Sequence, residues 1–248
     1  MAKTPKQDKA LDLEKAWTKF KKKDFEKALA LFEELLDEND NDAEALYGRA
    51  CCLIRCEEYE DALKDLNVLI RKSPKESRYV HARSMVYGAE EKLKDAIKDL
   101  ERVIELASDS VEAHCDLGGA YLISGDFAKA NDCFDTCIDI DRTCPDAWFG
   151  KAMVAIEKKE PKRAIEYLNA AIKIDGKYLL AILARAEAYL MSNQKKEGLQ
   201  DIRKALSLNP DLFKNNELAG QDDVTPYGND ENDSLDEDQD YEAYKLED

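Results

Sequence analysis

The sequence predicts an all-α chain, a solenoid of antiparallel helix pairs followed by an acidic C-terminal tail. Three observations predict it. A small-residue column recurs every 34 residues at Ala28, Ala62, Ala96, Ala130, Ala164 and Gly198. An apolar column four residues on keeps step with it, at Phe32, Leu66, Leu100, Phe134, Leu168 and Ile202. A second small column stands at Ala16, Ala50, Ser84, Gly118, Ala152 and Ala186, and no insertion breaks the register across six copies. Such a period has room for two helices of roughly three to four turns and two tight turns. The small columns let paired backbones approach closely. One pair cannot bury its apolar faces alone, so stacked pairs share a continuous core and present an extended concave surface.

In chain order, Met1–Asp8 reads as a short polar lead with a frayed end. Repeat one is Lys9–Asp42; its second helix is strongly patterned, while its first carries Trp17 and Phe20 off the expected places. Repeats two (Ala43–Glu76) and three (Ser77–Ser110) are regular, and Pro74 stops the helix that closes repeat two. Repeat four, Val111–Cys144, shows the pattern best, with two amphipathic runs separated at Gly125-Asp126. Repeat five (Pro145–Tyr178) has Pro161 in the first turn of its second helix, a tolerated site. Repeat six (Leu179–Leu212) ends at Asn209-Pro210. The last segment, 213–248, holds thirteen acidic residues against Lys214 and Lys245, a net −11 of the chain's −17. Its charge and scarcity of aliphatic residues predict disorder.

Val111–Cys144 resembles the tetratricopeptide repeat, whose pattern is W-x2-L-G-x2-Y, then A-x3-F, then P. His114, Leu117, Gly118, Tyr121, Ala130 and Phe134 stand at those places, with His for Trp and Arg142 for Pro; Trp148, Pro74 and Pro210 fill family positions in other copies. The resemblance covers Lys9–Leu212. It implies a right-handed superhelix of helix pairs and a role in holding other proteins. It also implies a polar capping helix after the last pair, for which Phe213–Leu218 is the only candidate. In the family, positions two, five, six and nine of each first helix face the groove. Here these give Leu13, Glu14 and Trp17; Glu44, Tyr47 and Cys51; Arg78, His81 and Met85; Glu112, Cys115 and Asp116. Asp146, Phe149 and Met153 follow, then Leu180, Leu183 and Glu187, with Gly48, Gly119, Gly150, Ala82 and Ala184 opening space between them. An apolar, aromatic groove with an acidic border suits a partner peptide or helix with apolar anchors and basic charge. Family members that capture chaperone C-termini use a clamp of Lys, Asn and Arg. Of the clamp positions only Arg78 fits, and acidic residues there would repel a carboxylate terminus.

One column departs from the family pattern. The place of Leu117 is basic in the other copies, at Lys15, Arg49, Arg83, Lys151 and Arg185. Sixteen residues on, Arg49 meets Asp65, Arg83 meets Asp99 and Arg185 meets Asp201. A planar guanidinium suits bidentate pairing with a carboxylate, so these pairs are expected to bridge the two helices of repeats two, three and six. They are assigned to packing rather than to binding, because partly buried charges are kept when paired.

Several function classes lose support. The chain lacks a basic stripe for phosphates, which argues against nucleic acid. No apolar run approaches a membrane span. The polar start has no signal-peptide core, and seven cysteines, an odd number, lie at helical rather than framework spacings. Free thiols in a cytoplasmic or nuclear compartment are the expectation. His81 and His114 have no carboxylate motif, no Gly-rich phosphate loop occurs, and Cys133 and Cys137 fit core packing rather than a zinc motif, so no enzyme, metal or cofactor is expected. Two readings are carried forward. One is an interaction scaffold or adaptor acting through its groove. The other is an escort for a basic client, such as a histone or ribosomal protein, acting through the acidic tail, where Thr225 and Ser234 read as phosphorylation sites. Oligomeric state is open.

Overall fold

The structure, a computed structural model, describes residues 5–212. The tail at 213–248 with Thr225 and Ser234, the candidate cap Phe213–Leu218, and Met1–Thr4 of the lead lie outside the described residues. The chain divides into two units, Met1–Leu208 and Asn209–Asp248, and the described helices lie in the first.

Repeat one supplies α1 (Pro5–Lys21) and α2 (Phe25–Glu38), and repeat two α3 (Ala43–Arg55) and α4 (Tyr59–Lys72). Repeat three forms α5 (Ser77–Ala89) and α6 (Leu93–Leu106), and repeat four α7 (Val111–Ser124) and α8 (Phe127–Ile140). Repeat five forms α9 (Pro145–Glu157) and α10 (Pro161–Ile174), and repeat six α11 (Leu179–Met191) and α12 (Lys195–Leu208). No strand occurs among the described residues. The first helix reaches back to Pro5, so the second half of the lead is helical.

The periodic columns make the core. Ala28, Ala62, Ala130 and Ala164 are wholly buried, as are Phe32, Leu66 and Leu168. Each such leucine contributes about 1.5–3 kcal/mol by leaving water. Helices pack on their chain neighbours, and first helices also touch across repeats, as α7 does α9.

The turn inside each repeat has a single form. Lys23, Glu57, Glu91, Gly125, Lys159 and Asn193 all have positive φ, between 58° and 80°, and they recur at the repeat period. After each one, an N–H reaches back to the carbonyl five residues earlier, as Glu58 does to Leu53 at 2.8 Å and Asp126 to Tyr121 at 2.9 Å. This left-handed ending satisfies the last helical carbonyls. Repeat four alone places glycine there. The turns between repeats differ: Asp42 caps α3 by accepting from Glu44 and Ala45 N–H at 3.0 Å, and Ser110 caps α7 from Ala113 at 3.2 Å.

Candidate functional site

The basic column lies between helices. Arg49 Nε and Nη2 donate to Asp65 at 2.7 Å, Arg83 donates to Asp99 at 2.7 and 2.8 Å, and Arg185 to Asp201 at 2.7 Å. The three carboxylates are buried. Two of these arginines reach further than the sequence reading foresaw. Arg83 Nη1 donates to Asn67 at 2.7 Å and Arg185 Nη1 to Asn169 at 2.6 Å, both sixteen residues back in the preceding repeat. Lys151 likewise meets Asp135 and lies over the Tyr167 ring. Among the described residues, Lys15 pairs only along its own helix, with Asp12 at 2.7 Å. The signal for the backward partners was present as a polar column at Asn67, Asp135 and Asn169, but it gains meaning only when repeats stack.

The groove residues of the first two repeats are largely used by the chain itself. Leu13, Trp17 and Tyr47 pack half-buried against the core. Trp17 stands edge-on to Phe32 with centroids 5.1 Å apart, and Tyr47 meets Tyr79 at 5.4 Å. Arg78 is held by Glu44 and lies 4.9 Å from the centroids of both Tyr47 and Tyr79. Cys51 sits beside Tyr47, and burial pushes its thiol up to about 11. Gly48 and Gly150 are also required by packing, since a Cβ on either would come within 3 Å of the Phe32 or Phe134 ring, and Gly150 lines the groove as expected of it. The aromatic ring of the apolar column fills that space from behind.

The groove is open over α5, α7 and α9. One cleft of about 600 Å³ is lined by residues of α7 and α9, among them Glu112, Cys115, Asp116, Asp146, Phe149 and Met153. A second, of about 740 Å³, lies between α5 and α7 and includes Met85, Leu93, Leu100, Asp116 and Ile123. They join at Cys115, Asp116 and Gly119. Glu91, Glu112, Asp116 and Asp146 line them, and no Lys or Arg does. His81 Nε2 lies 2.7 Å from Asp116 Oδ2, and that hydrogen bond holds the imidazole pKa above its usual value. Tyr178 OH donates to Asp146 at 2.6 Å and its ring meets Phe149 at 5.4 Å. Leu183 is half-buried and Glu187 exposed on α11, outside both clefts.

Three thiols meet at the cleft junction, from α7, α8 and the turn before α9. Cys115 Sγ lies 3.0 Å from Cys137 Sγ and 3.7 Å from Cys144 Sγ. All seven cysteines are free. The hydrogen bond to Cys137, with burial, pushes the Cys115 thiol up, and burial takes Cys144 to about 11. Protonated thiols are poor nucleophiles and metal ligands. The sequence reading missed Cys144, Glu91, Leu122, Ile123 and Tyr178 as lining residues. They lie at helix ends or beyond the four groove positions, where only packing brings them to the cleft.

Models of the tetratricopeptide repeat match residues 19–86, 81–136 and 124–178. No curated protein matches the chain. Among solved structures it is similar to a thermophilic TPR protein of Thermus thermophilus, with TM-score 0.62 and 21% identity over 73% of this chain and 99% of that one. It is also similar to a tetratricopeptide repeat protein of Parabacteroides merdae, with TM-score 0.67 and 19% identity over 81% and 78%. YrrB, a TPR protein with an unusual peptide-binding site, superposes with TM-score 0.55 and 18% identity over 73% and 94%. At these identities the likeness is one of fold.

Proposed function

Because the chain belongs to the tetratricopeptide repeat family, whose members generally mediate protein–protein interactions, we propose that it is a non-enzymatic scaffold or adaptor. Its groove over α5, α7 and α9 would hold a segment of a partner with apolar anchors and basic charge. The observation that carries this reading is the pair of joined clefts, apolar within and bordered by four carboxylates without a lining Lys or Arg. Charge of one sign attracts and orients an opposite partner, while like charge is rejected. Arg78, the one basic residue at the clamp positions, already pairs with Glu44, which argues against a carboxylate clamp. The similar YrrB fold carries a peptide-binding site, which makes peptide capture a fair analogy for this chain as well. Free thiols are consistent with a reducing, cytoplasmic or nuclear setting.

Affinity capture with the full chain and with Met85→Ala/Met153→Ala tests the proposal. Loss of the captured partner in the double variant, with an unchanged melting temperature, supports groove binding; unchanged capture overturns it. The charge of 213–248 favours the second reading, an escort for a basic client. On that reading, capture by the full chain falls steeply with added salt and deleting 213–248 abolishes it. On the groove reading, binding survives the deletion.

A further inference from the structure

We infer that the cleft between α5 and α7 is an anchor pocket for one large aliphatic or aromatic side chain of a partner segment that carries Lys or Arg beside it. The inference rests on the groove reading above and assigns the place and chemistry of its main contact.

First helices meet in α1 with α3, α3 with α5, α7 with α9 and α9 with α11, whereas α5 and α7 approach each other less and are linked through His81, 2.7 Å from Asp116. The floor of the cleft is apolar, made by half-buried Leu93 and by buried Ala96 and Leu100 of α6. Its rim carries Met85 and Ile123, which are 47% and 77% exposed. Apolar side chains held this far into water at the rim of an apolar cleft favour burial by a partner. A space of about 740 Å³ is within the range of about 300–1,000 Å³ typical of ligand sites.

The glycines separate internal from external demands. At Gly118 a Cβ would strike the Phe134 ring, so the fold itself requires the small residue. At Gly119, the next residue along α7, a Cβ would meet nothing within 4 Å. The same holds for Gly88 on the opposite wall. Neither has positive φ. A glycine in mid-helix lowers helix stability relative to Ala, and nothing among the described residues offsets that loss at Gly119. The small residue there suits close approach by a partner's backbone.

Charge settles the partner's character. Asp116 stands at one end of the cleft and Glu91 at the other. Asp116 is engaged by His81, whereas Glu91 makes no ion pair among the described residues. A Lys or Arg beside the anchor would complete it. An acidic segment would be repelled.

The test selects a displayed random dodecapeptide library on the full chain, and the selected peptides are resynthesised with fluorescein for anisotropy. The pocket predicts a large apolar residue flanked by Lys or Arg. Gly119→Leu and Ile123→Asp should each weaken binding about tenfold or more. Gly119→Ala should leave the melting temperature equal or higher, whereas Gly150→Ala, which drives a Cβ into Phe134, should lower it. Glu91→Gln should weaken binding about threefold and reduce its salt dependence. Peptides lost on Phe149→Ala but indifferent to Gly119→Leu and Ile123→Asp would overturn the pocket and leave the groove reading standing. Selected peptides that are acidic would likewise overturn it. If no peptide is selected, or binding ignores all of these variants, both readings fall.

Discussion

At the scale of single residues, the chain places charge where it has a partner. Asp99 is buried and takes both hydrogen bonds from Arg83, which also holds Asn67 of the preceding repeat. Arg83→Ala would strand that carboxylate, and urea denaturation should show a loss of about 3 kcal/mol. Breaking an exposed pair such as Lys64 with Asp61 should leave the same denaturation curve unchanged, because water screens both charges. His81 supplies a pH-dependent term. Its pKa is raised above 6.5 by Asp116, with Glu112 adding to the field. A raised pKa means that the folded state binds the proton more tightly. The contribution is therefore complete below pH 6.5 and is lost as pH rises through the elevated value. Melting temperature against pH should fall across that window in the native chain and flatten in His81→Gln.

At the scale of elements, the intra-repeat turn decides where each first helix stops. Five of the six left-handed positions are filled by Lys, Glu or Asn rather than glycine. A side chain there costs about 1 kcal/mol, and the chain bears this in every repeat but the fourth. Gly125→Ala should therefore destabilise by about 1 kcal/mol in a thermal melt, and Glu57→Gly should stabilise by several tenths to about 1 kcal/mol. The break at Gly125-Asp126 was legible in the sequence because glycine marks it. The equivalent turns at Lys23, Glu57, Glu91 and Lys159 carry no such mark, since nothing in a lysine or glutamate announces a left-handed conformation. The forward Arg–Asp pairs were legible for the opposite reason: both members are charged and their sixteen-residue separation repeats.

At the scale of the whole helical unit, stability is assembled from neighbours. Each pair packs on the next, so damage should spread locally rather than everywhere. Leu168, wholly buried in α10, illustrates this. Leu168→Ala should cost about 2–5 kcal/mol. Amide exchange should quicken in α9, α10 and α11 well before α3 and α4 respond; uniform quickening would show that the array unfolds as a single cooperative block. The same nearest-neighbour construction lets one joint differ from the rest. The α5–α7 joint is held from behind by α6, which packs on both helices.

The sequence by itself determined the helix pairs, their register and their core, because close packing of paired helices demands small and apolar residues at fixed intervals, and those demands are written locally. It also determined the family and the acidic bias of the groove. Only tertiary structure decided which groove residues stay available. Trp17, Tyr47 and Arg78 occupy the same repeat positions as residues that line open clefts farther along, yet neighbours from adjacent repeats already engage them. Whether a face is filled depends on the distance between helices far apart in sequence, and a periodic pattern is silent about that distance.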